Sequence, residues 1–494
     1  LLSLSIYHHG ESRHHFSLLF VPPATAAEWR IFMANDELRL LEKAVEKITA
    51  IAREFGLDFY DIFFEICPAD ILYTFGAYGM PTRYSHWTFG KAYHKMKTQY
   101  DYNLSRIYEL VINSNPCYAF LLEGNSLVQN KLVIAHVLAH CDFFKNNVHF
   151  QRTTRDMVES MAGAAERFRG YEMQYGKDKV ESFLDAVISI EEHVDSRYFL
   201  NPKKNRKKEP GDTPYDDLWE LDRPNRESKS EDTLKFPESP QKDLLLFLME
   251  HSRDLKDWQR DIISVIRQEM LYFWPQMETK VMNEGWATYW HLKIMRELDL
   301  VEDEALEFAK MHTGVVQASR FHLNPYLIGL KIYEAIEKSW DQPSKEEKEK
   351  YKRVEGKGRK KIFEVRESEN DISFLRNYLS RDLIEEMDLY LYKKQGTEWK
   401  VVEKDWRVVR DVIVSSLTNC GFPYLVVDDG DYGKQGDLYL KHIYEGVELD
   451  VFCLEKTLPY VYQIWGRKVH LETVIDSKNV VFSFNGEKIS KKFL

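Results

Sequence analysis

The sequence predicts an α+β protein, mainly α-helical, with a small sheet in a helical core and an α+β domain at the C-terminal end. Three observations lead there. Apolar residues recur at helical spacing through most of the chain up to about residue 340. Two short apolar runs, RIYELVINSN and CYAFLLEGN, meet at Asn115-Pro116 and read as neighbouring strands. Beyond about residue 365 the pattern changes to YLVVDD, LYLKHIY, HLETVI and NVVFSFNGEKI, short strands of which the last carries an Asn-Gly turn.

Taken in order, the elements have local causes. MANDELRLLEKAVEKITAIAREFG opens on Met33, and Asp36 caps an amphipathic helix over 33–55 whose apolar residues are Leu38, Leu40, Leu41, Val45, Ile48 and Ile51. The preceding residues 1–32 are rich in His and broken by Pro; they are expected to be a non-native or disordered extension. FYDIFFEICPADILYTFGAYGMPTRYSHWTFGK mixes aromatics with Gly and Pro and is expected to be loop-rich. After the two strands, Ser126 and Gln129 form a capping box that starts a helix. Residues 33–200 make the first helical part of the core. Residues 201–240 are charged and Pro-rich and read as a linker or surface excursion. Residues 241–340 complete the core, with one helix stopped by Pro275 and a new one beginning near Met277. Asn324 and Pro325 cap the next. A charge run over 341–364 is a second linker, and 365–494 form the C-terminal α+β domain.

Composition narrows the function. The chain has 494 residues, enough for two to four domains, and a hydrophobic share of 44%, enough for a real core. The net charge of -11 supplies no positive field to draw it onto nucleic acid. Five cysteines, widely spaced and without C-x-x-C, fit reduced thiols and a cytoplasmic place. No apolar run reaches the ~18 residues of a membrane span.

Chemistry concentrates in a few places. His136 and His140 in HVLAH are four apart, so both rings lie on one face of the capped helix and can share a metal. The run resembles the zinc-protease pattern H-E-x-x-H with Val137 in place of the general base. Gln129 and Asn147 fall on the same face if the helix runs through. In NEGWATYWH, Glu284 and His291 share a face two turns apart, about 10 Å along the axis. Their separation sets them apart as ligands of one ion, so Glu284 is the expected third ligand and His291 a nearby proton donor or oxyanion stabiliser. His193, beside Glu191 and Glu192, is the alternative ligand. Asp142, Glu192 and Glu123 are the candidate bases. Arg83, His86 and His94, in a Gly- and aromatic-rich stretch, are candidate substrate contacts together with Asn147. Strand, strand, His-bearing helix and Glu-bearing helix follow the order of a zincin-like core, a likeness of fold only.

Whole segments carry a more specific likeness. ICPADILYTFGAYGMPTRYSHWTFGKAYHKMK, INSNPCYAFLLEGNSLVQNKLVIAHVLAHCDFFKNN and MNEGWATYWH resemble the stage V sporulation protein R family of bacteria. The resemblance runs from Met33 essentially to the C-terminus. It implies a part in forming the spore cortex, a peptidoglycan layer, although relatives occur in bacteria that make no spores. It also implies two partners, a serine-kinase-like ATPase and a von Willebrand-like protein. It implies no particular reaction. Two readings stay open. One is a metal-dependent hydrolase, peptidase- or amidase-like, using zinc, or iron as the variant, at His136, His140 and Glu284. The other is a non-catalytic scaffold or regulator that keeps the same core with a dead centre.

Overall fold

A computed structural model describes residues 35–102, 109–198, 235–318, 323–395 and 398–494. Residues 1–32 and most of 201–240, for which an extension and a linker are expected, lie outside the described residues. The chain divides into two compact units. One takes the chain up to Gly170 together with Tyr272–Gly421; the other takes Tyr171–Leu271 and Phe422–Leu494.

The first unit begins with α1 (Asn35–Glu54), which buries Leu41 and Ile48 and leaves Leu38 and Leu40 in solvent. Then come β1 (Ile62–Cys67), α2 (Ala69–Tyr78) and α3 (Trp87–Asp101). This corrects the loop-rich expectation for the aromatic stretch. Its Pro and Gly punctuate short elements: Pro68 is the N-cap of α2, and Gly79 ends it at φ 76°, a conformation that favours Gly. β2 (Glu109–Ile112) and β3 (Cys117–Leu122) follow as expected, with Asn115-Pro116 between them. The sheet has the order β1-β3-β2, with β1 parallel and β2 antiparallel to β3. Leu110, Ile112 and Phe120 pack with Leu72 and Phe75 of α2, while Val111 and Leu121 join the main core.

That core is built around α4 (Leu127–Asn146). Ser126 Oγ accepts from the Gln129 amide at 3.3 Å, and Gln129 Oε1 accepts from the Ser126 amide at 3.0 Å, completing the expected capping box. Fifteen of the twenty residues of α4 are buried, so the helix is enclosed on all sides. Along the chain, α5 (Met157–Tyr175) crosses from the first unit into the second, α6 (Lys177–Ile188) and α7 (Leu244–His251) belong to the second, and α8 (Asp257–Glu278) crosses back into the first. Pro275 does not stop α8, contrary to expectation. It sits in the last turn, and the break comes at Thr279, whose hydroxyl donates to the Pro275 carbonyl at 2.6 Å.

α9 (Lys280–Arg296) runs against α4 and against α11 (Pro325–Asp341), with α10 (Glu302–Val315) between them in sequence. Gly285 and Gly329 let the backbones of α9 and α11 touch: a Cβ at 285 would lie 2.3 Å from Gly329 Cα. α12 (Lys345–Tyr351), α13 (Gly358–Ser368), α14 (Asp371–Tyr378) and α15 (Arg381–Glu386) complete the helical shell. Asp371 of α14 accepts from the Val281 and Met282 amides at 2.8 and 2.9 Å, capping buried N–H groups in the first turn of α9. A hairpin of β4 (Leu391–Gln395) and β5 (Glu398–Glu403) precedes α16 (Trp406–Ser416).

The second unit contains β6 (Leu425–Tyr432), β7 (Asp437–His442), α17 (Val451–Trp465), β8 (Val469–Ile475), β9 (Lys478–Phe484) and β10 (Ile489–Phe493). All four expected runs are strands, and the fourth is two, turning at Asn485 and Gly486. The sheet order is β10-β9-β8-β7-β6, antiparallel except for β7 and β8. The molecule is thus α+β and mainly helical, and no described helix is long and apolar enough to cross a membrane.

Candidate metal centre

The faces predicted for HVLAH and NEGWATYWH meet. α4 presents His136 and His140 one turn apart, and α9 presents Glu284 opposite them. The Nε2 atoms of His136 and His140 lie 3.7 and 3.6 Å from the same Glu284 oxygen, Oε2. One ligand atom from each of the three residues lies within 4.8 Å of the other two, and this is the single cluster of its kind among the described residues. At M–N distances of ~2.0–2.1 Å, tetrahedral ligands stand about 3.4 Å apart, so the two His–Glu spacings need little closing.

The neighbours fix which nitrogen faces the cluster. His140 Nδ1 is 2.8 Å from Asn283 Oδ1, an acceptor, so Nδ1 carries the proton and Nε2 keeps its lone pair. His136 Nδ1 is 2.9 Å from His291 Nδ1, and His291 Nε2 is 3.0 Å from His312 Nδ1. If His136 keeps its Nε2 lone pair, one neutral arrangement satisfies both contacts. His136 donates from Nδ1 to His291 Nδ1, and His291 donates from Nε2 to His312. Burial, and next the neighbouring His136 and His312, hold His291 well below the ordinary imidazole range. His312 is lowered too, by burial and then by Arg296. The donor set and its outer hydrogen bonds therefore fit a divalent metal.

The ring of Tyr326, at the start of α11, stacks on His136 with centroids 6.0 Å apart. His136, His140, Glu284 and His291 are each at most 4% exposed. Lys280, one turn before Glu284, is lowered by burial while Glu284 and Asp371 pull the other way.

The other residues singled out from sequence stand elsewhere. Asp142 projects from a different face of α4. Its carboxylate accepts from the Asp58 amide at 2.8 Å and from Trp286 Nε1 at 2.9 Å, and Arg366 Nε lies 3.4 Å away. Burial pushes it up to about 6 against the pull of Arg366. Asn147 is the C-cap of α4 and donates to the Arg366 and Glu369 carbonyls. Arg83 donates to the Tyr78 carbonyl at 3.1 Å and lies over the Phe89 ring. His86 is the N-cap residue of α3, with Nδ1 2.7 Å from the Thr88 hydroxyl. His94 and Glu123 are exposed. Glu192 and His193 belong to the second unit, where burial raises the carboxyl and drives the imidazole down to about 4.

Sequence reasoning did not single out Asn283, His312 or Tyr326 as part of the site. Asn283 had a signal, since it adjoins Glu284 in the same run. His312 lies on α10, none of whose residues is buried, and nothing in its spacing separates it from a solvent-facing His.

A mainly helical α+β protein with a buried His-His-Glu cluster defines the class. The chain belongs to the SpoVR like protein family, which matches residues 35–422, and the SpoVR-like C-terminal domain matches 423–476. It is similar to the uncharacterized protein YcgB of Escherichia coli (strain K12), at 29% identity over 469 residues, covering 88% of this chain and 91% of that protein. No solved structure matches it.

Proposed function

We propose that the protein is a metal-dependent hydrolase acting in sporulation, with His136, His140 and Glu284 holding one divalent ion, zinc in the first instance and iron as the variant. The observation that carries the reading is the convergence of two imidazole Nε2 atoms on one carboxylate oxygen, each ring oriented from behind by Asn283 or His291. Family membership supports the sporulation role, and the order of strands, His helix and Glu helix supports a zincin-like core. The bound ion supplies Lewis acidity toward a substrate carbonyl. The chain's own residues do the rest. Asn283 and His291 keep the two lone pairs aimed at the site. His291 and His312 hold the hydrogen-bond chain that fixes the His136 proton on Nδ1 and leaves its Nε2 lone pair free. No carboxylate occupies the place of Val137, so a base of the zinc-protease kind is not in the helix. The proposed substrate is a peptide or a peptidoglycan precursor, met in the cytoplasm.

Val137 and the near-complete burial of the cluster favour a second reading, a scaffold whose metal is structural and whose work is done with the kinase-like and von Willebrand-like partners. Metal analysis after metal-replete purification separates the parts. His136→Ala and Glu284→Ala should empty the site, and His291→Ala should weaken binding ~10–100-fold. If the wild type holds no metal, or all variants hold it equally, the metal reading is wrong. If metal is held but no peptide or muropeptide is cleaved, the scaffold reading stands.

A further inference from the structure

The C-terminal sheet carries a second constellation of reactive side chains, made of residues to which no role is given above. β9, β8 and β7 place Ser483, His470 and Asp437 side by side. His470 pairs with Ser483 across β8 and β9, and with Tyr439 across β7 and β8. Directly paired residues share a face, and so do residues two apart on a strand. Ser483, His470, Tyr439 and Asp437 therefore lie on one face, while Leu440, Leu471 and Phe482 lie on the other. His470 Nδ1 is 2.7 Å from Ser483 Oγ, and His470 Nε2 is 3.2 Å from Asp437 Oδ2.

We infer that Ser483 is a nucleophile, with His470 as its general base and Asp437 holding the ring, and that it takes the acyl group of an uncharged carboxylic ester. The proton positions follow from the partners. Asp437 accepts only, so it fixes the imidazole proton on Nε2 and leaves Nδ1 to accept from the serine hydroxyl. Relative to the serine-protease arrangement the ring is turned, with serine on Nδ1 and aspartate on Nε2. Either nitrogen of a neutral imidazole can serve as base. Burial holds His470 below its ordinary range more strongly than Asp437 raises it, so the ring is neutral and able to accept a proton at pH 7.

The face around the triad is suited to a small neutral ester. Ser483 is half-buried rather than sealed. Ser490, directly opposite it on β10, is exposed, and its hydroxyl makes only a long 3.5 Å contact to the Ser483 carbonyl. Being paired directly with Ser483, it stands on the same face of the sheet as the serine. Tyr432 packs its ring 5.1 Å from His470 and is 43% exposed, giving an aromatic wall beside the base.

The reaction balances without any further reagent than water. Ser483 Oγ bonds to the ester carbon, and its proton passes to His470 Nδ1. The carbon–oxygen bond to the alcohol breaks, and that proton goes to the departing alkoxide. Water then adds to the acyl carbon, giving its proton to Nδ1. The bond to Oγ breaks, the serine is reprotonated, and a carboxylic acid leaves.

A fluorophosphonate probe tests this on the full-length chain. Oγ displaces fluoride, so one equivalent of probe adds and peptide mapping finds it on Ser483. Labelling should disappear in Ser483→Ala and slow by at least ~100-fold in Asp437→Asn, in which the ring loses its anionic partner. A chelator should leave it unchanged, which separates it from the His-His-Glu cluster. p-Nitrophenyl acetate hydrolysis should follow the same order. The competing view is a polar ladder that only pins strand register. It wins if the wild type does not label, or if Ser483→Ala labels as well as the wild type while melting at the same temperature.

Discussion

Replacing Gly285 by Ala should destabilise the first unit, although Ala is the better helix former. The gain in helix propensity is about 1 kcal/mol. Against it stands the contact with α11. The new Cβ would lie 2.3 Å from Gly329 Cα, 2.4 Å from the Gly329 carbonyl carbon and 2.9 Å from the Leu330 amide nitrogen. All three are backbone atoms, so no rotamer change relieves them. Ordinary carbon contacts need ~3.5–4.0 Å, and the helices must part by more than about 1 Å. Overpacking of this kind costs about 1–3 kcal/mol, and the rigidity of both partners puts it at the upper end. The net expectation is a loss of about 2 kcal/mol, read as a lower urea midpoint by tryptophan fluorescence, with Trp286 and Trp290 on the same helix as reporters. Gly329→Ala should cost a similar amount, because its Cβ meets the Val281 carbonyl at 2.3 Å. The double variant should lose less than the sum, since one separation of the helices serves both side chains. Glu284 adjoins Gly285, so under the proposed metal reading metal content should fall as well. A Gly285→Ala protein that is more stable than wild type by about 1 kcal/mol would show propensity alone at work and refute the close approach.

Three further outcomes follow from buried polar groups. Burial lifts Asp371 to about 7 despite its two amide donors, so the folded state binds a proton that the unfolded state has lost. Its contribution is full below about pH 4 and falls as pH rises through 7, by a few kcal/mol in all. Urea titrations from pH 5 to 8 should show this slope and lose it in Asp371→Asn, whereas Asp371→Ala should cost about 1–2 kcal/mol through the lost cap. His193 has the opposite sign: held down to about 4, it stabilises above its unfolded value near 6.5, and that stability is lost as pH falls toward 4, by about 3 kcal/mol. Hydrogen exchange in the second unit should show that loss, and His193→Gln should abolish it. Trp286→Phe removes the indole donor to the buried Asp142 carboxylate and should cost about 1–3 kcal/mol in thermal unfolding; an unchanged melting curve would mean that Arg366 and the Asp58 amide suffice.

What sequence reasoning reached, and what it missed, has a physical pattern. The α4 cap and the His-His-Glu faces were legible because a capping box and a four-residue spacing are local. Asn283 and His312 were not, because their roles depend on helices brought together from far along the chain. The stretch around β1 was misread since IFFEIC, partly buried at most of its positions, shows no clean alternation. Its Pro68 and Gly79 then looked like loop residues when they mark the two ends of a ten-residue helix. Pro275 misled for the converse reason: near a C-terminus one lost amide bond is tolerated for the few residues that remain. The second unit is assembled from two stretches separated by Tyr272–Gly421, so no single shift in composition announces it.

The enclosure of α4 also bears on how the chain is made. His140 and Asn283 are 143 positions apart. At ~5–20 residues per second, α9 leaves the ribosome roughly 7–30 s after α4. Throughout that interval a helix meant to be covered on every side has no α9 to cover it, and its two imidazoles stand without their carboxylate. If the cluster holds metal as proposed, an ion met by His136 and His140 alone lacks the carboxylate and is free to exchange until Glu284 arrives. The newborn protein is therefore most open to the wrong metal, and to aggregation through α4, during that same interval.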